Sequence, residues 1–327
     1  MLKVAIAHPE FERRRQISRE IGQEDDIEVV GVFHRPTDVF EALKNRDIDV
    51  LLLGVNFGQM SGLDVLEEVM DLKKIPTVMI LDDADVERRE AVKAFSYGAV
   101  DFITPEDSAE DKRALLRAVG GARVKEQVES RIRKEKESPD FSQQVVVIGA
   151  STGGPPEIEF ILKNLPGDLE VPVLVVQHMS GPMVELFANR LDSLSELDVR
   201  LCSDSERLGP GQVWISRSEK DMKVERRGEE FFLVEEESDS EDIASVNATF
   251  RSVAEVFGTN AVGVILSGMG RDGAVGTRFL SSAGGKIIVQ DRDTSLIFGM
   301  GQQVIRQGDA DYVVPLEKIP EKIMELT

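Results

Sequence analysis

Residues 145–163 read VVVIGASTGGPPEIEFILK, and this stretch decides the fold of the second half of the chain. Its run of β-branched residues is typical of a buried strand, and a glycine-rich turn leads from it into a pattern with helical spacing. Strand, turn and helix in this order are the unit from which a parallel sheet covered by helices is built. The stretch therefore predicts an α/β domain with Ser151 on a turn at the carboxyl end of a strand.

The same alternation of short apolar runs and amphipathic stretches fills the first 120 residues. It predicts five strands at residues 4–7, 27–33, 50–53, 77–81 and 100–103, and helices near residues 10–22, 37–45, 62–72, 85–96 and 107–120. Pro9, Pro36 and Pro105 stand where helices could begin. At 327 residues the chain also exceeds the usual size of a single hydrophobic core. We therefore predict two domains, residues 1–120 and 144–327, both parallel α/β.

Two polar segments are predicted to lie outside the cores of the two domains. Residues 121–143 are highly charged and poor in core residues, which predicts a linker that is helical in part. Residues 228–242 are the most acidic part of the chain, and we predict a solvated hairpin or loop there.

Composition excludes several classes of function. The net charge of −21 disfavours binding to nucleic acid or to an anionic membrane surface. No apolar run approaches the roughly 20 residues of a membrane span, and the first ten residues are too short and too soon interrupted for a signal peptide. The single cysteine, Cys202, excludes an internal disulfide and is expected to be buried. We expect a cytoplasmic protein whose partner is another protein or a small molecule.

The glycine-rich turn at residues 149–154 has two interpretations. A GxSxG pattern after a strand is typical of a nucleophile elbow, whereas a similar turn binds the pyrophosphate in a dinucleotide-binding unit. The motif alone favours neither. A dinucleotide site requires an acidic residue at the end of the next strand, but that strand, at residues 171–176, ends in Gln177 and His178. His178 lies where it could act as a general base for Ser151.

A third strand end supplies a carboxylate. The predicted strand at residues 261–266 runs into SGMGRDG, residues 267–273, which contains Asp272. Nucleophile, base and a carboxylate that orients the base are the three parts of a serine hydrolase site. The chain order Ser, His, Asp differs from that of the α/β-hydrolases, so a different connectivity must bring the groups together.

The motifs GASTGG, VVQHM, SGMGRDGA and QDRDTSLIFGM, in this order over residues 144–327, resemble the catalytic domain of the chemotaxis protein-glutamate methylesterases (CheB). The resemblance implies that Ser151 attacks a glutamyl methyl ester of a methyl-accepting chemotaxis receptor, while His178 carries the proton and Asp272 orients the imidazole. It implies an oxyanion site formed by the Met269 amide with Thr152 nearby. It also implies a possible deamidation of receptor glutamines.

Two segments depart from the family pattern. Where the family has an Ala-Pro-Gly run followed by His, this chain has SRSEKD at residues 216–221. Where the family has Arg-Pro-Ser-Val-Asp, it has IASVN at residues 243–247. Both segments border the cleft in the family, so receptor choice or turnover is expected to differ. No metal or cofactor is expected, because a base activates the nucleophile and amides stabilise the oxyanion.

The first half resembles a response-regulator receiver, a flavodoxin-like doubly wound fold. A receiver needs an acidic pair, a phospho-acceptor Asp, a hydroxyl residue and a Lys. The corresponding residues here are, in that order, His8-Pro9, Gly54, Leu81 and Thr104 or Pro105. We therefore predict a pseudo-receiver that cannot be phosphorylated, leaving the esterase either constitutively open or controlled by signalling partners.

Glu10, Asp82 and Asp83 lie near the receiver rim, and we interpret them as surface carboxylates and not as a cation site. His8 is expected to be packed or solvent-facing and not a ligand.

The alternative for the whole chain is a non-catalytic chemotaxis scaffold. The presence of all three triad residues at strand ends argues against it.

Overall fold

The computed structural model describes residues 1–22, 26–58, 60–82, 84–121, 143–238 and 244–327. The chain divides into two compact units, Met1–Val124 and Lys125–Thr327. Most of the predicted linker and Asp83 lie outside the described residues, so the linker stays a prediction. Among the described helices, none combines the length and the apolar character needed to cross a membrane.

The first unit contains a five-stranded parallel sheet in the order β2-β1-β3-β4-β5. The strands are β1 (Leu2–Ala7), β2 (Ile27–Phe33), β3 (Val50–Gly54), β4 (Thr77–Ile80) and β5 (Ala99–Ile103). The helices are α1 (Phe11–Ile21), α2 (Pro36–Asn45), α3 (Gly62–Leu72), α4 (Ala84–Ser96) and α5 (Ala109–Gly121). All five strand–helix pairs predicted from the sequence are confirmed, with ends that differ by at most two residues.

Of the three prolines that were predicted to begin helices, only one does so. Pro36 is the first residue of α2, as predicted. Helix α5 instead begins at Ala109, because the Ser108 hydroxyl accepts a hydrogen bond from the Asp111 amide at 3.1 Å and so caps the helix. Helix α1 begins at Phe11, two residues after Pro9.

The second unit is built on a seven-stranded parallel sheet in the order β14-β13-β12-β6-β7-β9-β8. Its strands are β6 (Val145–Ala150), β7 (Val173–Gln177), β8 (Asp198–Leu201), β9 (Gln212–Ile215), β12 (Ala261–Ile265), β13 (Lys286–Gln290) and β14 (Tyr312–Val314). Its helices are α6 (Gly154–Lys163), α7 (Gly181–Leu194), α8 (Val246–Phe257), α9 (Ala274–Ser282), α10 (Gly299–Gln307) and α11 (Ile319–Leu326). The predicted α/β class is confirmed in both halves.

The acidic segment forms part of an antiparallel hairpin, β10 (Lys220–Arg227) and β11 (Glu230–Glu237). Residues 239–243 lie outside the described part of the chain. Cys202 follows β8 and is fully buried, as expected. Burial raises the pKa of its thiol to about 12, so it remains protonated and packs as a small apolar side chain.

Strand β6 is buried along its whole length because helices cover both faces of a parallel sheet. It lies between β12 and β7. The carboxyl ends of these three neighbouring strands, which the sequence marks with Asp272, Ser151 and His178, therefore meet at one edge of the sheet.

Candidate active site

The nucleophile turn is held by its backbone. The Ser151 amide donates to the Ser267 carbonyl at 2.9 Å, and the Ser151 carbonyl accepts from the Gly154 amide at 2.8 Å. The turn then passes through Gly153, whose φ of +89° lies in the left-handed region that favours glycine. A Cβ at Gly153 would also lie 2.9 Å from the Cβ of Leu296. The turn therefore requires glycine for both conformation and space.

His178 and Asp272 form a direct pair. His178 Nε2 lies 3.0 Å from Asp272 Oδ2, although 94 residues separate them in the chain. The imidazole is placed by the strand before it, because the His178 amide donates to the Ala150 carbonyl at 3.1 Å. His178 is therefore fixed beside the residue that precedes Ser151.

The Asp272 carboxylate is held by backbone donors. It accepts from the amides of Val246 at 2.8 Å, Asn247 at 3.0 Å and Gly273 at 2.9 Å. Burial alone would raise the pKa of Asp272, but hydrogen bonds from His178 and from the Val246 and Asn247 amides outweigh it and hold the pKa below its ordinary value. Asp272 is therefore an ionised acceptor aimed at the imidazole.

Ser151 follows β6 and His178 follows the neighbouring strand β7, but the two side chains are not joined by a hydrogen bond. Within the described residues, the Ser151 hydroxyl has no hydrogen-bond partner, and the side chain is 8% exposed. Contacts of this kind are often long without substrate and tighten when it binds. The structure thus brings together the pair of His178 and Asp272, with Ser151 adjacent.

The two oxyanion candidates have free backbone amides. Neither the Thr152 amide nor the Met269 amide donates a hydrogen bond to any residue that the structure describes. Gly268, which precedes Met269, lies against the nucleophile, since a Cβ there would be 2.9 Å from the Ser151 Cβ and 2.1 Å from the Met300 sulfur. Only glycine allows the two turns to approach this closely.

Two positioning residues escaped the sequence analysis. Gln177 Nε2 donates to the Ser151 carbonyl at 3.0 Å and to the His178 carbonyl at 2.9 Å. Glu157 is buried in the first turn of α6 and contacts Ser267 and Gln290. The spacing of Glu157 from Ile161, four residues along the buried face of α6, was the available signal.

The unusual segments lie beside the pair. In the IASVN segment, it is the amides of Val246 and Asn247 that reach Asp272, so the change of side chains leaves those contacts intact. In the SRSEKD segment, the Ser218 hydroxyl donates to the Met179 carbonyl, and Asp221 accepts from the Ser245 amide at 2.7 Å.

The receiver rim contains a packed histidine. His8 is 2% exposed, and its Nε2 lies 2.9 Å from Asp82 Oδ2. The other Asp82 oxygen, Oδ1, lies 3.1 Å from Arg13 Nε, and Arg13 also donates to the Leu81 carbonyl at 3.1 Å. Burial lowers the pKa of His8 below its ordinary value, although Asp82 opposes this. Asp82 is thus engaged by two side chains.

The described residues contain no group of three or more His, Cys, Asp or Glu side chains arranged to hold a metal ion. Asp83, one of the three carboxylates considered at the receiver rim, lies outside the described ranges. Its two companions there are Glu10, whose amide donates to His8 Nδ1 at 3.2 Å, and Asp82.

Comparison with known proteins agrees with this architecture. Residues 146–323 match the family model described as CheB methylesterase, and residues 5–116 match that of the response regulator receiver domain. The chain is 36% identical to the protein-glutamate methylesterase/protein-glutamine glutaminase of Bordetella pertussis, over 93% of this chain and 91% of the relative. It is 32% identical to the protein of the same name from Thermotoga maritima, over 100% and 98% of the two chains.

A solved structure extends the comparison to the fold. The crystal structure of the Thermotoga maritima CheB methylesterase catalytic domain superposes with a TM-score of 0.56 at 39% identity, covering 57% of this chain and 100% of that one. The resemblance inferred from the four motifs is confirmed: the chain belongs to the CheB methylesterase family.

Proposed function

We propose that this chain hydrolyses glutamyl methyl esters of methyl-accepting chemotaxis receptors in the cytoplasm, with Ser151 as nucleophile. The observation that carries the proposal is the pair of His178 and Asp272 next to Ser151, at the ends of three neighbouring strands. Methanol release from methylated receptor membranes by the full chain tests it directly.

The contact with Asp272 supports different roles for the two imidazole nitrogens. An ionised carboxylate only accepts hydrogen bonds, so in the neutral ring Nε2 carries the proton and donates to Asp272. The unprotonated Nδ1 is then the base that takes the proton of the Ser151 hydroxyl. Asp272 remains ionised and stabilises the imidazolium that forms.

The reaction proceeds in two halves. Ser151 Oγ attacks the ester carbonyl, and the amides of Met269 and Thr152 are the proposed donors to the resulting oxyanion. The intermediate collapses as His178 returns its proton to the leaving methoxide, which departs as methanol and leaves an acyl-enzyme. Water, deprotonated by His178, then releases the free glutamate and restores the Ser151 hydroxyl. A receptor glutamine would react by the same route and release ammonia.

We also propose that the first unit is a pseudo-receiver. At Gly54, where the family has its phospho-acceptor, an added Cβ would lie 2.5 Å from His8 Cδ2 and 3.2 Å from His8 Nε2. The imidazole thus takes up the space beside this position. Its pairing with Asp82, whose other oxygen contacts Arg13, keeps it there. Control of the esterase by partner binding, or no control at all, follows from the missing acceptor.

A phosphoryl donor tests the pseudo-receiver. We expect that incubation of the full chain with acetyl phosphate and Mg²⁺ yields no acid-labile phosphate on residues 1–120 and leaves methanol release unchanged. Intact-protein mass spectrometry, with a phosphorylatable receiver as the positive control, measures the first quantity. A stoichiometric acyl phosphate mapped to the first unit would contradict the proposal.

Placing an aspartate at position 54, without any other change, should cost stability. We expect Gly54→Asp to destabilise the first unit by about 1–3 kcal/mol, because the new side chain enters space that His8 occupies. Thermal unfolding of Gly54→Asp, His8→Ala and the double variant measures the coupling. The double variant should recover part of the loss caused by Gly54→Asp. Additive losses would show that His8 does not obstruct position 54.

A further inference from the structure

Glu157 places a buried carboxylate against Ser267, in the turn that follows β12. It is 5% exposed and lies in the first turn of α6, six residues after Ser151. One oxygen, Oε2, accepts from the Ser267 amide at 2.9 Å. The other, Oε1, accepts from the Ser267 hydroxyl at 2.5 Å and from Gln290 Nε2 at 2.9 Å. In all three hydrogen bonds the Glu157 carboxylate is the acceptor.

These partners connect Glu157 to the reacting serine. The Ser267 carbonyl accepts the Ser151 amide at 2.9 Å, so Ser267 is bonded to Glu157 on one side and to Ser151 on the other. The Ser267 hydroxyl accepts from the Leu296 amide at 2.9 Å. Leu296 in turn packs against Gly153 of the nucleophile turn.

Glu157 therefore connects the turns that follow three strands. It contacts two of them directly and reaches the third through Ser267. These are the turn after β6 with Ser151, the turn after β12 with Ser267, and the turn after β13, where Gln290 Nε2 also donates to the Thr294 carbonyl at 3.0 Å. The Gly268 amide donates to the Ile297 carbonyl at 2.9 Å and joins the second turn to the third. The residue after Gly268 is Met269, whose amide is the proposed oxyanion donor.

A carboxylate suits this position better than an amide. Three donors converge on two oxygens, and an amide at the same place would present its own NH₂ to at least one of them. Burial raises the pKa of Glu157 to about 7, although the hydrogen bonds from Ser267 and Gln290 oppose the shift. Burying a carboxylate costs free energy unless hydrogen bonds compensate it, and here those hydrogen bonds fix the position of Ser267.

We infer that Glu157 is a positioning residue for the esterase, which sets the distance between Ser151 and the oxyanion turn through its hydrogen bonds to Ser267. The inference rests on the proposed function. Glu157 does not touch the reacting atoms, so its effect is expected in the chemical step and not in receptor binding.

The test compares two buried glutamates on one helix. In the full chain we expect Glu157→Gln to lower kcat for methanol release by about 10- to 100-fold, with KM changed less than about twofold. The control is Glu159→Gln, since Glu159 is also buried in α6 but pairs with Arg190 at 3.0 Å and with Lys163 at 3.8 Å. The control should lose thermal stability and keep its kcat.

Two further measurements separate positioning from general damage. The rate at which a fluorophosphonate labels Ser151 should fall with kcat in Glu157→Gln and stay unchanged in Glu159→Gln. In a double-mutant cycle with Ser267→Ala, the combined loss should be smaller than the product of the two single losses, because both act through one contact. Glu157→Asp serves in place of Glu157→Gln if the latter does not fold.

The outcomes distinguish the two proposals. Full activity of Glu157→Gln, or a loss that the matched control shares equally, would overturn the role of Glu157 and leave the esterase intact. A parent chain that releases no methanol at all would instead overturn the proposed function.

Discussion

Replacing Ser151 by alanine should abolish methanol release from methylated receptors, with kcat lowered by at least about 10⁴-fold. The Ser151 hydroxyl is the proposed nucleophile that forms the acyl-enzyme. The change should leave the fold intact, because every hydrogen bond that Ser151 makes to a described residue uses its backbone. Methanol release by the full chain, with the thermal midpoint recorded alongside, measures both.

The control for Ser151→Ala is Ser193→Ala. Ser193 lies exposed on α7 and donates to the Arg190 carbonyl at 2.7 Å, and its removal should leave turnover within about twofold of the parent. We expect the double variant Ser151→Ala with His178→Ala to be no slower than Ser151→Ala alone, because the groups act as a unit. If Ser151→Ala hydrolyses methylated receptor as fast as the parent, the proposed mechanism is wrong. If the parent binds receptor without turnover, the scaffold alternative holds.

Replacing Asp272 by asparagine should lower kcat near neutral pH by about 10³- to 10⁴-fold. An amide nitrogen placed opposite His178 Nε2 would donate to it, which forces the ring proton onto Nδ1 and removes the base. The opposite orientation would direct the amide NH₂ at the backbone donors of Asn247 and Gly273. Either way, part of the network is lost.

Asp272→Asn should therefore also cost about 1–3 kcal/mol of stability, since a buried amide loses its acceptor. The matched control is Asp309→Asn. Asp309 is a buried carboxylate 3.5 Å from Arg278, located before β14 and so at the opposite edge of the sheet. The control should lose stability without losing turnover. An Asp272→Asn chain with near-parental kcat would show that the pair with His178 does not serve catalysis.

The stability effect of Asp272 should depend on pH with a defined sign. Its pKa is lower in the folded protein than the ordinary value of 3.8, so its contribution is fully present above that value and is lost as the pH falls through the folded pKa. The gap in thermal midpoint between the parent and Asp272→Asn should therefore narrow as the pH is lowered from about 5 toward 3. A gap that stays constant would mean that the carboxylate is not held ionised by its donors.

The alternation of β-branched runs and amphipathic stretches was enough to predict the α/β class and every strand of the first unit. Hydrophobic periodicity is a local property of the sequence. Strands that are buried on both faces are recognised by a continuous run of apolar residues, as in β6. The sequence also predicts the loss of the receiver chemistry, because Gly54 has no side chain to phosphorylate. The errors were at helix starts, where Ser108 caps α5 in place of Pro105.

What the sequence by itself determined was the set of proposed reacting groups and their positions after strand ends: Ser151, His178 and Asp272. Only the tertiary structure decided which strands are neighbours, because crossover connections place β12 beside β6 across more than a hundred residues. It alone revealed that backbone amides of Val246 and Asn247 hold Asp272 and that Glu157 holds Ser267. Main-chain donors are common to almost every residue type and leave no trace in a sequence, and long-range contacts between polar side chains form only once the sheet has brought the strand ends together.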